Sequence, residues 1–224
     1  MNLAVWTGVI ALFIVVLVLQ LERLRQKTLS QLNQILYVDH DSALYLQLLN
    51  NRHLRILFTE PSLLHLRLHA YLLTDDEQNI QKAIAELDQE KLPRGEKIEY
   101  LAERMQYAVQ SHQDEMALDS LRQLHQQLDS STSEKNRQIL EDAELIYRIY
   151  ILKDESVLPI LEKQLKSQNG LAKGITLYRT AKIHHFMHRD TEADNCLKEA
   201  LPLTKGTAYE MLIRSCIQDS SQLN

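Results

Sequence analysis

The sequence predicts an all-α chain: a single transmembrane helix at the amino end, then a domain of stacked helix pairs. Three observations carry this. Residues 3–21 hold no charged side chain. Leu, Gln, Glu, Lys and Arg dominate a chain of 224 residues that has only 5 Gly and 4 Pro, a composition that loses little rotamer freedom in a helix. Acidic breaks then recur at nearly regular spacing between long apolar-periodic segments.

The amino-terminal run comes first. At 1.5 Å per residue, residues 3–21 reach roughly 28 Å as a helix, close to the hydrocarbon thickness of a bilayer. Residues 9–19 are apolar on every side, unlike the one-sided stripe of a core helix. Trp6 is expected among the head groups as an interfacial anchor. A cleaved secretory signal is the alternative, and it lacks its marks: only Asn2 separates Met1 from the run, and no small-x-small site follows it. Arg23, Arg25 and Lys27 lie on the carboxyl side, so the positive-inside rule puts the amino terminus outside and the helical domain in the cytoplasm. The opposite orientation stays open, because the α-amino group is also cationic.

Residues 1–22 are therefore expected to span the bilayer and residues 23–38 to form a juxtamembrane amphipathic helix, through Leu24, Leu29, Leu32, Ile35 and Leu36. Leu21, Leu24 and Thr28 form one a–d–a trio and Leu29, Leu32 and Leu36 another. The register slips between them, which favours packing on the following domain over a dimerising coil.

Residues 39–60 are expected to cap the array, residues 61–204 to form about four helix pairs, and residues 205–224 to supply a closing helix and tail. The acidic breaks are Glu77, Asp114, Asp154 and Asp190. Three residues after each stands Ile80, Ala117, Val157 or Ala193, and four further on Ile84, Leu121, Leu161 or Leu197. A carboxylate near a helix start satisfies free N–H groups and opposes the positive dipole end, so the second helix of each pair is expected there. The first helices are expected to present Leu64, Leu68 and Tyr71; Leu101, Met105 and Ala108; Leu140, Glu144 and Tyr147; and Leu177, Ala181 and His184.

On these residues the chain resembles the tetratricopeptide repeat family, whose W-x2-L-G-x2-Y pattern opens the first helix and whose A-x3-F pattern lies in the second. The last unit matches best, with Leu177, Ala181, Ala193, Leu197 and Ala200 at family positions, Ala181 where Gly is usual and His184 where Tyr is usual. The repeats hold no tryptophan, and their spacing of 36 to 40 residues departs from the family's 34. An irregular helical bundle is the alternative architecture.

Chemistry-bearing motifs are few. The net charge of -5 and the scattered basic residues offer nucleic acid no basic stripe. The glycines form neither a dinucleotide fingerprint nor a phosphate loop, and no Gly-x-Ser-x-Gly elbow is present. Cys196 and Cys216 belong to no Cys-x-x-Cys pair and are expected as buried thiols. The carboxylates fall at turns and on polar helix faces. His65 and His69, and likewise His184 and His188, stand at i, i+4, a spacing that can bring two imidazoles to one metal ion, but neither pair encloses the Glu of His-Glu-x-x-His.

The expected function is thus a membrane-anchored, non-enzymatic adaptor with no cofactor, holding a protein partner at the cytoplasmic face. Two alternatives stand beside it: a metal-binding or metal-sensing domain on the paired histidines, and an outward-facing assembly or chaperone-like factor. By resemblance to the repeat family, whose first helices line a concave peptide-binding face, the partner-binding positions are Ala102, Gln106 and Val109 of the second unit and Tyr178, Lys182 and His185 of the last.

Overall fold

The chain has no breaker between its apolar amino end and Asn33, and in the computed structural model helix α1 runs unbroken over Leu3–Asn33. The structure describes residues 3–127 and 133–223, and within residues 3–14 the only side chain described is that of Phe13. After Asn33 the helix widens into a π turn, Gln34–Val38, in which the Asp39 N–H donates to the carbonyl of Gln34, five residues back, at 3.0 Å.

The single-pass expectation does not hold. Among the described residues no helix is long and apolar enough to cross a membrane. Most of the expected span, Trp6 included, has side chains outside the described residues. The described apolar stretch, residues 13–21, reaches only about 14 Å, half a hydrocarbon core. Beyond it Glu22, Arg23, Arg25 and Lys27 follow within two turns. Arg25 is drawn into the fold, paired with Glu96 and 5.4 Å from the ring centroid of Phe58. The transmembrane helix, the orientation and the cytoplasmic-membrane localisation built on it are withdrawn. Phe13, Val15–Leu19, Leu21 and Leu24 are exposed.

The described residues form two compact units, Met1–Tyr100 and Leu101–Asn224, and every regular element in them is helical. In the first unit, Leu32 and Leu36 join Tyr45 and Leu49 of α2 (Ser42–Leu49), Phe58 beyond the short α3 (Leu54–Leu57), and Leu63, Leu66 and Ala70 of α4 (Glu60–Leu73) in one core. The Tyr45 hydroxyl, fully buried, donates to the carbonyl of Leu66 at 3.0 Å, which satisfies the one polar atom that ring brings inside. Helix α5 (Glu77–Leu87) packs back on α4 through Ile80, Ala83, Ile84 and Leu87. Its cap is Asp76, whose carboxylate accepts from the N–H of Asn79 at 3.3 Å, and Glu77 is the first helical residue.

Helix α6 (Arg94–Gln110) is followed in the second unit by α7 (Asp114–Gln127), α8 (Glu134–Tyr150), α9 (Leu158–Ser167), α10 (Gly170–Phe186), α11 (Asp190–Leu203) and α12 (Ala208–Gln218). Asp114 and Asp190 open their helices, while Asp154 caps a 3-10 turn, Glu155–Val157, by accepting from the N–H of Ser156 at 2.9 Å. Ile80 and Ile84, Ala117 and Leu121, Val157 and Leu161, and Ala193 and Leu197 are all buried.

The turns ahead of these helices share a left-handed bend. Asp75, His112, Lys153 and His188 have positive φ, 53°, 55°, 50° and 56°, each ending the preceding helix in the left-handed region. After three of them the next N–H donates five residues back: Asp76 to Tyr71, Gln113 to Ala108 and Arg189 to His184. That is the Schellman closure, which satisfies carbonyls at a helix end. Glycine is the usual residue at such a bend, and none of the four is glycine.

The tightest packing in the second unit is α10 on α11. Leu177, Tyr178, Ala181, Ala193, Leu197 and Ala200 form its core with Ile213 and Cys216 of α12. Gly174 lets the backbones close: a Cβ there would lie 2.6 Å from Thr204 Cγ2 and 3.1 Å from Leu203 Cβ.

Candidate partner-binding groove

Helix α6 buries Leu101, Met105 and Ala108 as its sequence pattern requires, which leaves Ala102 and Gln106 one position further round the helix. Helix α8 starts at Ser133, whose hydroxyl accepts from the N–H of Asn136 at 3.3 Å, and it buries Ala143, Leu145, Ile146 and Ile149. Between the two helices lies a groove of about 350 Å³ within the second unit. Its buried floor is Met105, Ala143 and Ile146, and half-buried Ala102 and Ile139 form its walls. The rim is polar: Glu103 and Gln106 from α6, and Lys135, Gln138 and Asp142 from α8. On α8 the lining residues fall at i, i+3, i+4, i+7, i+8 and i+11, one continuous helical stripe.

Asp142 is held from a third helix. Arg179 of α10 donates from Nη1 to Asp142 Oδ1 at 2.8 Å, with the arginine side chain 13% exposed and the aspartate 54%. Tyr150 lies beside this pair, and burial pushes its phenol up, so it stays protonated through the ordinary pH range.

Of the six positions expected to meet a partner, Ala102 and Gln106 line this groove. Val109 is buried. Tyr178 is buried too, its ring edge-on to Tyr209 at 5.9 Å between centroids. Lys182 is interior, with Nζ 5.0 Å from the ring centroid of Tyr150 and 5.4 Å from that of Phe186. Burial pulls its ammonium down to about 8, and Lys153 adds to the fall while Cys216 opposes it. His185 is half-buried at the end of α10, Nδ1 3.4 Å from the Asp190 carboxylate.

The histidine pairs differ in their geometry. His65, buried, and His69, half-buried, both stay on α4 with ring centroids 4.8 Å apart, and His65 also meets the edge of Tyr100 at 5.9 Å. His184 is half-buried, and burial lowers its pKa, which favours the neutral ring. His188 stands beyond the end of α10 at the left-handed bend, exposed, so its i, i+4 relation to His184 is not helical. Either pair alone offers a metal two ligands, where structural zinc takes four.

Several groove residues were missed in the sequence. The expected face of α8, Leu140, Glu144 and Tyr147, is one residue out of phase with the buried one, Ala143, Ile146 and Ile149. Glu144 instead meets His125 at 3.1 Å. The available signal was Ala143 between Ile139 and Ile146, a small residue flanked by two aliphatics seven apart. No family model matches the chain, and neither the curated proteins nor the solved structures contain a match to it.

Proposed function

We propose that the chain is a non-enzymatic protein-interaction module, built from tetratricopeptide-like helix pairs, whose groove between α6 and α8 receives a segment of a partner protein. The observation that carries this is the groove itself: a buried aliphatic floor under a rim of amide and charged side chains, lined by α6 and α8. An apolar floor supplies affinity by excluding water, and polar rim groups supply orientation. The three turns closed in the same way support a repeated architecture. A partner helix laid in such a groove engages it through side chains at i, i+3, i+4 and i+7.

The test is selection of a displayed peptide library on the purified protein, with each binder retested on Ile139→Glu. Ile139 is half-buried in the groove wall, so the new carboxylate blocks the site without opening the core. Binders that lose at least tenfold in affinity support the reading. A library that yields no binder, or binders indifferent to Ile139→Glu, overturns it.

A further inference from the structure

We infer that the exposed stretch of α1 up to Leu24 is the seam of a two-stranded coiled coil with a second copy of this chain. This surface is separate from the groove between α6 and α8 and does not depend on it. Two a–d–a trios follow one another along α1, and the structure gives them different surroundings. Leu32 and Leu36 are buried in the core of the first unit and Leu29 packs against it. Leu21 and Leu24 stay exposed, and Thr28 is half-buried where the two registers meet. The slip in register therefore lies where α1 stops facing water and starts facing its own unit.

Upstream, the exposed trio continues in the same register. Leu17, also exposed, stands one heptad before Leu24, and by spacing in the sequence Ile14 and Ile10 carry the pattern on. Ile10, Ile14, Leu17, Leu21, Leu24 and Thr28 alternate four and three apart, the period that one helix presents to another helix. The flanking e and g positions, Ala11, Phe13, Val18 and Gln20, are uncharged. The next, Arg25, is paired with Glu96 and lies 5.4 Å from the ring centroid of Phe58, so its guanidinium is held on its own chain. Flanking charges select an unlike partner and repel a like one, and a seam without them fits an identical helix with no repulsion. The Thr28 hydroxyl donates to the carbonyl of Leu24 at 2.8 Å, which satisfies the polar group at the seam's end within α1. Phe13, Leu17, Val18, Leu21 and Leu24 each leave on the order of 100 Å² in water, so two copies remove about 1,000 Å² through these residues, the size at which an interface becomes specific. Val15, Val16 and Leu19 fall at b, c and f, on the outer face.

The experiment is sedimentation equilibrium of the full chain in buffer without detergent. Wild type is expected to show a two-chain mass, with a Kd below about 10 µM. Leu17→Glu and Leu21→Glu each put a carboxylate into the seam and are expected to raise that Kd at least about a hundredfold. Val15→Glu and Leu19→Glu, both at side chains 54% exposed, keep the carboxylate in water and are expected to change it less than about threefold. All four side chains are outside the core, and the helical spectrum of each variant checks its fold. The inference is overturned by a one-chain mass at about 100 µM, by a mass above two chains, or by a dimer indifferent to Leu21→Glu. It is overturned equally if changes on the outer face break the dimer as well as changes in the seam, which is unspecific apolar clustering. A chain that stays in solution only with detergent or phosphatidylcholine vesicles, and is one copy there, has lipid as its occupant and overturns it too.

Discussion

Replacing Gly174 by alanine sets two effects of opposite sign against each other. Gly174 is interior to α10, and a Gly to Ala change inside a helix is favourable by about 1 kcal/mol through backbone entropy. Against this, the new methyl would stand 2.6 Å from Thr204 Cγ2, 3.1 Å from Leu203 Cβ and 3.5 Å from the Ala200 carbonyl oxygen. Thr204 cannot turn aside freely. It is fully buried, β-branched, and its hydroxyl donates to the carbonyls of Leu201 and Ala200 at 3.2 and 3.3 Å. Overpacking of this kind costs about 1–3 kcal/mol, and displacing the hydroxyl adds about 1 kcal/mol. The net expectation is a loss of about 1–3 kcal/mol, read as a fall in the urea midpoint at unchanged slope. Thr204→Ala removes the obstructing methyl, so the double variant should be more stable than the sum of the single losses predicts, with a coupling of about 1 kcal/mol. If Gly174→Ala proves as stable as wild type, or more so, the helices are not held at this separation and the account of the pair is wrong.

Lys182 makes a second prediction, in alkali. The unfolded chain keeps this proton to about pH 10.5 and the folded chain only to about 8, so between those values the unfolded state binds more protons and stability rises with pH. Measured as wild type minus Lys182→Met, which cancels the other titrations, the gain should be about 1–3 kcal/mol across that window, and a flat difference refutes it. At the turn after α6, His112→Gly should raise stability by about 0.5–1 kcal/mol, read as a higher denaturation midpoint, since glycine takes positive φ without strain, whereas His112→Val should lower it. Burial pushes both thiols up, and Cys216 is 1% exposed while Cys196 is half-buried. Ellman's reagent should therefore modify Cys196 first and Cys216 only as the protein opens, and equal rapid labelling of both would contradict the packing of α12.

The segments that open at Glu77, Asp114, Asp154 and Asp190 were the most legible part of the sequence. Each combines an acidic start with a small or aliphatic residue three and seven positions on, and all eight of those positions are buried. The face of α8 was less legible because Leu140, Leu145, Ile146, Tyr147 and Ile149 place apolar residues on several sides, and periodicity alone does not choose among phases. Asp142 stands in a run with Glu141 and Glu144 that reads as a solvated face, and nothing local points to Arg179, 37 residues later. Gly174 carried no signal, since a close approach depends on which residue of α11 stands opposite. The uncharged amino-terminal run favoured lipid by length and polarity, and among the described residues α1 continues instead into the core of the first unit at Leu32 and Leu36. Tyr178 and Lys182 were assigned to a concave surface from their register, but a helix packed by α9 on one flank and α11 on another exposes little of any face.

The widened turn at Gln34–Val38 carries one residue more than an α-helical turn. Losing one residue there would close it to the α form and change the phase upstream little, whereas losing one from the α-helical stretch between Arg25 and Leu32 would swing everything upstream of the loss by about 100° about the axis, since successive residues are spaced at 3.6 per turn. Arg25 would then lose both Glu96 and the ring of Phe58. The exposed connection ahead of α3, residues 50–53, carries no such phase, so gains and losses of single residues belong there and not in α1.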